Sequence, residues 1–431
     1  MISAEQGYSL LREDGDSALG LDQEAFLETI REDWPEAKAF LKDLVEENSF
    51  TLNPDGVRKN SETIVRQFAS FHFSTRVLPS TLDGAGEHLI LDSGGEGVPV
   101  LLVSHLDTVY PPEEQAAAYL GWDDLNDRIE GPGTYDIKGG TVAMWLMLRC
   151  LHQHRPDLFA RHRWILAWNA AEERLCEDFS SAVLALLPSE PLACLVFEGD
   201  NRSQDGHEVL CGRSGIARFR LCVHGKSAHS GNSHSAGVNA IVRIAELVGR
   251  IAGLTDYERF TTVNVGVIRG GLTTNRVPDR AEILFEVRYR DRAHFEEIQS
   301  TLHALQHVGS TDHPGASVVL ETLQEIPAWV ESPGTLALAR FWQDAGQICG
   351  HPVTLGIRSG LSDANFFSPH VRTLDGLGPR GGNSHSVVNE GGRPRITEFV
   401  DQNSFLTKSL INALGLANLL ASPKGDGRPT T

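Results

Sequence analysis

The chain is predicted to adopt an α/β fold: a mostly parallel-sheet domain with helices on both faces, and an inserted ferredoxin-like α+β domain. Two patterns predict it. Short apolar runs of buried-strand length alternate with longer helical segments in the first half, and the middle of the chain changes to the order β-α-β-β-α-β. The length of 431 residues agrees, because a single core usually stops growing at about 250–300 residues.

In chain order, "VPVLLVSHL" (98–106), "HRWILAWNA" (162–170) and "LACLVFEG" (192–199) read as buried strands. Between them, 141–154 is long and apolar enough for a packed helix, and 180–188 reads as a shorter helix ended by Pro188. From about Gly215 the elements become strand 215–225, helix 235–254, strands 261–271 and 280–290, helix 293–308 and strand 316–324. Long amphipathic helices resume at 333–350 and 395–415. These changes place one domain at 1–211 with 325–431, and the insertion at 212–324. The polar tail 421–431 is expected to be disordered.

Charge and composition narrow the function classes. Acidic residues outnumber basic ones, 57 to 38, for a formal charge of -19, and no Lys/Arg-rich run is present to grip phosphates, which argues against nucleic acid. The six cysteines form no CxxC pair, as expected of free thiols in a reducing compartment rather than a thiolate zinc site. The N-terminus lacks the basic and apolar regions of a leader, and no run approaches the roughly 18 uninterrupted apolar residues of a span. The expectation is a cytoplasmic protein with no membrane partner.

The polar residues at strand ends suggest chemistry. His105 and Asp107 follow the first strand, Asp136 lies in "GPGTYDIKGG", Glu172 and Glu173 end the next strand in "NAAEE", Glu198 ends another in "VFEGD", and His385 lies in "GPRGGNSHSVVNE". Any one of them alone reads as a cap or a solvated loop residue. Together they converge on the carboxyl-end edge of the sheet, where α/β folds bind ligands. Carboxylates and imidazoles gathered there, with no Lys or Arg in the strand-end motifs, repel one another unless a cation sits among them. Mixed His/carboxylate donors suit zinc, and the surplus of carboxylate suits a pair of ions.

"SHLDTVYP", "GPGTYDIKGG", "AAEE", "VFEG", "GKSAHSG" with "GVNAI", and "GPRGGNSHS" follow one another at the spacings of a known family. Over about residues 22–415 the chain resembles the two-zinc amidohydrolases and exopeptidases: glutamate carboxypeptidase, acetylornithine deacetylase, succinyl-diaminopimelate desuccinylase and aminoacylase. Its motifs are most similar to those of glutamate carboxypeptidase. The resemblance implies two Zn2+ ions, with Co2+ or Mn2+ able to substitute. It implies that His105 and Glu198 bind one ion, Glu173 and His385 the other, and that Asp136 bridges them. Asp107 would orient His105, and Glu172 would be the general base. His229 would reach from a partner subunit to the developing oxyanion, which implies a homodimer. Asn275, Arg288, Arg358 and Gly360 match positions that hold a substrate carboxylate.

Plainer readings stand beside these roles. His229 also fits a polar loop residue, Arg288 a surface ion pair, and Asp200 competes with Glu198 as the ligand in "FEGD". Pro132 stands where the family usually has arginine, Ala171 where it has an acid, and "EERLCEDFS" lacks the usual Gly-Ser. These departures bear on the substrate: a peptide for a carboxypeptidase or dipeptidase, or an N-acyl amino acid for a deacylase. An N-carbamoyl amino acid hydrolase and a non-catalytic binding relative are the remaining alternatives.

Overall fold

The computed structural model describes residues 22–117, 121–200, 206–306 and 315–422. Residues 1–21, where the sequence reading expects no leader, and the final nine residues of the tail therefore lie outside the described residues. The chain divides into two compact units: Met1–Val209 with Leu336–Leu355 and Val371–Thr431, and Leu210–Thr335 with Gly356–His370. Residues 325–335 and 356–370, kept with the first domain in the sequence reading, thus fall in the second unit. Side chains explain it: Asn365 donates to the carbonyls of Ser214 and Pro327, and Arg213 to those of Gly360 and Leu361.

The first unit is built on a six-stranded sheet in the order Ser74–Pro79, Glu87–Asp92, His162–Asn169, Val98–His105, Cys194–Val196, Thr373–Leu374. The last four are parallel to one another. Val98–His105 has a parallel neighbour on each side and is buried along all but its first residue, the setting in which strands become continuous apolar runs. The first two strands form an antiparallel hairpin that the sequence reading did not anticipate. Ser74–Pro79 is an exposed edge with no buried residue, so no apolar run marks it.

Helix Gly139–His154 packs against Gln23–Glu46 and Gln402–Ala421 and is buried over most of its surface. Its start demands glycine: a Cβ on Gly140 would lie 1.8 Å from the carbonyl oxygen of Phe197. Helix Gln402–Ala421 is long and apolar enough to cross a membrane, a feature the sequence reading missed, but 78% of that stretch is buried within the protein. Its Asn412 accepts from the Trp342 indole at 2.9 Å and donates to the Leu377 carbonyl at 2.7 Å, the bonding of a core helix.

The second unit has the expected element order, with a four-stranded antiparallel sheet arranged Thr262–Gly270, Arg280–Tyr289, Gly215–His224, Ser317–Ile326. Arg280–Tyr289 alternates strictly, burying Ala281, Ile283, Phe285, Val287 and Tyr289, as a sheet with one covered face requires. Helices Ala240–Ala252 and Arg292–Leu305 supply Ile244, Leu247, Phe295 and Ile298 to that core. Asn239 and Asp291 cap their first turns. Phe285 stacks on Phe219, with ring centroids 5.2 Å apart. Phe285→Ala is expected to cost roughly 3–5 kcal/mol, read as a lower urea midpoint by circular dichroism; an unchanged midpoint would contradict this packing.

Candidate active site

Five segments of the first unit bring seven of the sequence-predicted residues to one place. His105 ends a central strand, and Asp107 follows it. Asp136 lies in the loop after the strand Arg128–Glu130, the Glu172–Arg174 turn follows His162–Asn169, Glu198 follows Cys194–Val196, and His385 follows Gly381–Gly382. Three of the five segments follow parallel strands of the six-stranded sheet, which deliver residues distant in sequence to the same edge, while Asp136 and His385 follow strands of a separate antiparallel sheet.

The two oxygens of Asp136 face different histidines. Oδ1 lies 3.0 Å from His105 Nε2 and Oδ2 lies 3.3 Å from His385 Nε2. Glu198 reaches within 4.0 Å of His105 Nε2, and Glu173 within 3.2 Å of His385 Nε2. His105, Asp136 and Glu173 each present a ligand atom within 4.8 Å of the other two.

The His105 tautomer follows from its neighbours. Nδ1 lies 2.9 Å from the backbone carbonyl of Asp107, which can only accept, and 3.4 Å from the Asp107 carboxylate. Nδ1 therefore carries the proton, and in the neutral ring the Nε2 lone pair points at Asp136. The Asp107 carboxylate makes its shorter bonds elsewhere: it accepts from Thr51 Oγ1 at 2.7 Å and from the N–H groups of Glu172 and Glu173 at 3.1 and 3.3 Å. Asp107 thus fixes the Glu172–Glu173 turn as well as lying beside His105.

Without a cation the cluster is electrostatically unbalanced. Burial, reinforced by Asp136, pushes the Glu173 carboxyl up to about 7, and Glu173 Oε1 is buried with no hydrogen-bond partner. Bonds to Asp136 and Glu173 raise His385 to about 11. Burial opposes the charge of His105, but Asp107 and Asp136 outweigh it and raise that ring as well. Burial likewise opposes the charge of Asp136, yet the two histidines hold its carboxyl well below the usual range. The nearby bases turn elsewhere: Lys138 donates to the carbonyls of Leu44 and Glu47 at 2.7 and 3.3 Å, and Arg174 lies over the Phe50 ring.

These donors fit metal. Donors sharing one tetrahedral zinc at normal bond lengths stand about 3.4 Å apart, near the observed His–carboxylate separations. The orphaned Glu173 oxygen and the His105 lone pair are what a bound cation satisfies. Asp200 is not part of the cluster; it is fully buried and tied to His207, the Glu208 N–H and Lys408.

The remaining predicted residues form two groups within the second unit. His229 is exposed, and its Nδ1 accepts from the N–H groups of Gly231 and Asn232 at 3.1 and 3.2 Å, which leaves Nε2 as the donor. Asn275 adjoins it, its carbonyl accepting from Ser230 N–H. In the other group, Arg288 donates to Glu286 and to the Ser359 carbonyl, and the Arg358 carbonyl accepts from Ser214 N–H. A Cβ on Gly360 would meet only Arg213 Nη1, at 3.7 Å, so packing does not demand glycine there.

Sequence reasoning missed Glu398, Tyr110 and Thr51, which support the cluster, and Lys138, whose ammonium is held by the Leu44 and Glu47 carbonyls. Glu398 had a signal: Ile396, Glu398 and Val400 are all buried, so an acid occupies an apolar position of an alternating pattern.

Residues 211–307 match the peptidase dimerisation domain. The chain is 25% identical over 352 residues to carboxypeptidase G2 of Pseudomonas sp. (strain RS-16), spanning 80% of this chain and 82% of that one. It is also 25% identical over 295 residues to succinyl-diaminopimelate desuccinylase of Wolinella succinogenes, spanning 66% and 77%. Its fold is that of a Bacillus subtilis dinuclear metal binding peptidase of the M20 family, at a TM-score of 0.65 and 14% identity over 90% of this chain and 99% of that one. The chain thus carries the peptidase dimerisation domain, is homologous to carboxypeptidase G2 and succinyl-diaminopimelate desuccinylase, and shares the fold of M20 family metallopeptidases.

Proposed function

We propose that the chain is a dinuclear zinc hydrolase that cleaves an amide bond next to a free carboxylate, acting as a carboxypeptidase or dipeptidase. The observation that carries this reading is the Asp136 carboxylate, with one oxygen toward His105 and the other toward His385. His105 and Glu198 would hold one ion, Glu173 and His385 the other, and Asp136 both. Cations bound there lower the pKa of an adjacent water and polarise the amide carbonyl.

The protein's own groups do the rest. Glu172 is 8% exposed, and its N–H is fixed by Asp107. It takes a proton from the attacking water and delivers it to the leaving amine. His229, with Nε2 as the donor, hydrogen-bonds the carbonyl oxygen as negative charge builds there. Arg288 and Arg358, with Asn275 and the backbone at Gly360, bind the substrate carboxylate, for which the guanidinium fork is suited. Free cysteines throughout support a cytoplasmic setting.

The test is hydrolysis by zinc-loaded protein across aminoacyl, N-acetyl, N-succinyl and N-carbamoyl amino acids. Turnover of aminoacyl substrates alone supports the peptidase reading; turnover confined to N-acyl members would replace it with deacylation, the reading favoured by the desuccinylase relative. No turnover with metal bound would leave a binding protein.

The dimer has its own test. His229→Ala and Glu172→Gln are each expected to be inactive. Subunit exchange between them should recover about one quarter of parental activity if His229 serves the partner's site, since a random mixture of two-fold dimers has one site in four intact. No recovery would contradict action across subunits.

A further inference from the structure

We propose that Glu398 is a positioning residue that sets the Asp136 carboxylate between the two metal positions, so that its loss weakens binding of one of the two ions. The inference rests on Asp136 being the shared ligand.

Glu398 is fully buried, and three of the four bonds to its carboxylate come from the Asp136 loop. Oε1 accepts from the N–H groups of Tyr135 and Asp136, both at 2.9 Å. Oε2 accepts from Gly133 N–H at 3.1 Å and from the Tyr110 hydroxyl at 2.8 Å. The Glu398 carbonyl accepts from Gly131 N–H at 3.0 Å. One residue thus holds four points of a six-residue stretch, including the N–H of Asp136 itself. The loop needs such a clamp: Gly133 is left-handed at φ 73°, and Asp136 and Ile137 depart from helical geometry, so regular secondary structure does not hold these N–H groups.

The surrounding sheet extends the clamp to His385. The strand Phe399–Asp401, which begins one residue after Glu398, pairs on one side with Arg128–Glu130, the strand that leads into the Asp136 loop. On its other side it pairs with Gly381–Gly382, the strand that leads to His385. Thr397 donates its N–H to the Ser386 carbonyl at 3.2 Å and accepts on its own carbonyl from Asn383 Nδ2 at 3.2 Å. The segment 397–401 therefore fixes the spacing between the carboxylate and one of its histidines. That spacing decides whether Asp136 can serve two ions at once, and residues bonded to metal ligands in this way typically change metal affinity about 10- to 100-fold when removed.

Glu398→Gln is the first variant, because an amide keeps the shape but turns one acceptor into a donor facing an N–H group. Titration of the metal-free protein with zinc in a chelator-buffered series would be followed together with its circular dichroism and thermal unfolding. The expected result is an unchanged spectrum and a weaker-site dissociation constant raised about 10- to 100-fold, with the tighter site moved much less. Glu398→Asp, which retains the charge on a shorter arm, should recover part of that loss. If the amide variant does not fold, Tyr110→Phe, which deletes one of the four side-chain bonds, must still weaken the same site severalfold. Two unchanged dissociation constants in whichever variant folds would overturn the proposal. Asp136→Asn separates the two levels: if it binds two ions as the parent does, the shared-ligand reading falls and this one with it. If it loses an ion while Glu398→Gln does not, only the positioning role falls.

Discussion

Glu172→Gln is expected to lower turnover roughly a hundred- to ten-thousand-fold, the range for removing a positioned general base, without loss of metal. Its placement separates the two outcomes. Its backbone N–H is held by Asp107, and its charge acts on His105. An amide of the same shape keeps the Asp107 bond and the turn and removes only the group that accepts the proton. Metal content measured beside kcat is the check. A variant that loses metal together with activity would make Glu172 a ligand rather than the base, and one that keeps turnover would remove it from the chemistry.

Chelation is expected to abolish hydrolysis and to lower the thermal midpoint, and the size of the drop should depend on pH. The sign follows from the histidines. In the metal-free protein His385 is raised to about 11 by Asp136 and Glu173, so its protonated ring stands in for a cation. That stabilisation is fully present below the ordinary imidazole value of 6.5 and is lost as pH rises toward about 11. Metal needs the neutral rings and an ionised Glu173, whose carboxyl is pushed up to about 7, so its binding at neutral pH should release about two to three protons, from His105, His385 and part of Glu173. Affinity should therefore strengthen with pH, and the gap between metal-loaded and metal-free midpoints should widen from mildly acidic to mildly alkaline buffer. Proton release on metal binding, followed with an indicator, checks the count. A gap that narrows with rising pH would contradict the assigned ligands.

Much of this was legible because buried parallel strands announce themselves. Residues 98–103 and 164–168 are continuous apolar runs, and the polar residues that follow them fall where the site forms. The second unit was legible for the complementary reason: one covered face makes Arg280–Tyr289 alternate without exception. The hairpin Ser74–Pro79 with Glu87–Asp92 was not legible, because its outer strand lies exposed at the sheet edge and needs no apolar pattern. The supporting residues were hidden for another reason. Lys138 reads as a loop cation, and only the fold shows its ammonium closing the carbonyls at the end of helix Gln23–Glu46. Glu398 lies 262 positions from Asp136 in the chain, and no local pattern links them. Asp107 shows the finer limit: spacing puts it beside His105, but its shorter carboxylate bonds, to Thr51 and the Glu172–Glu173 turn, appear only in three dimensions.

The most direct test of the central claim is anomalous X-ray scattering at the zinc edge from crystals of the metal-loaded protein. The account predicts two peaks about 3.5–4 Å apart, both bonded to Asp136, one also to His105 and Glu198 and the other to Glu173 and His385. A single peak, or a second one that does not touch Asp136, would contradict it.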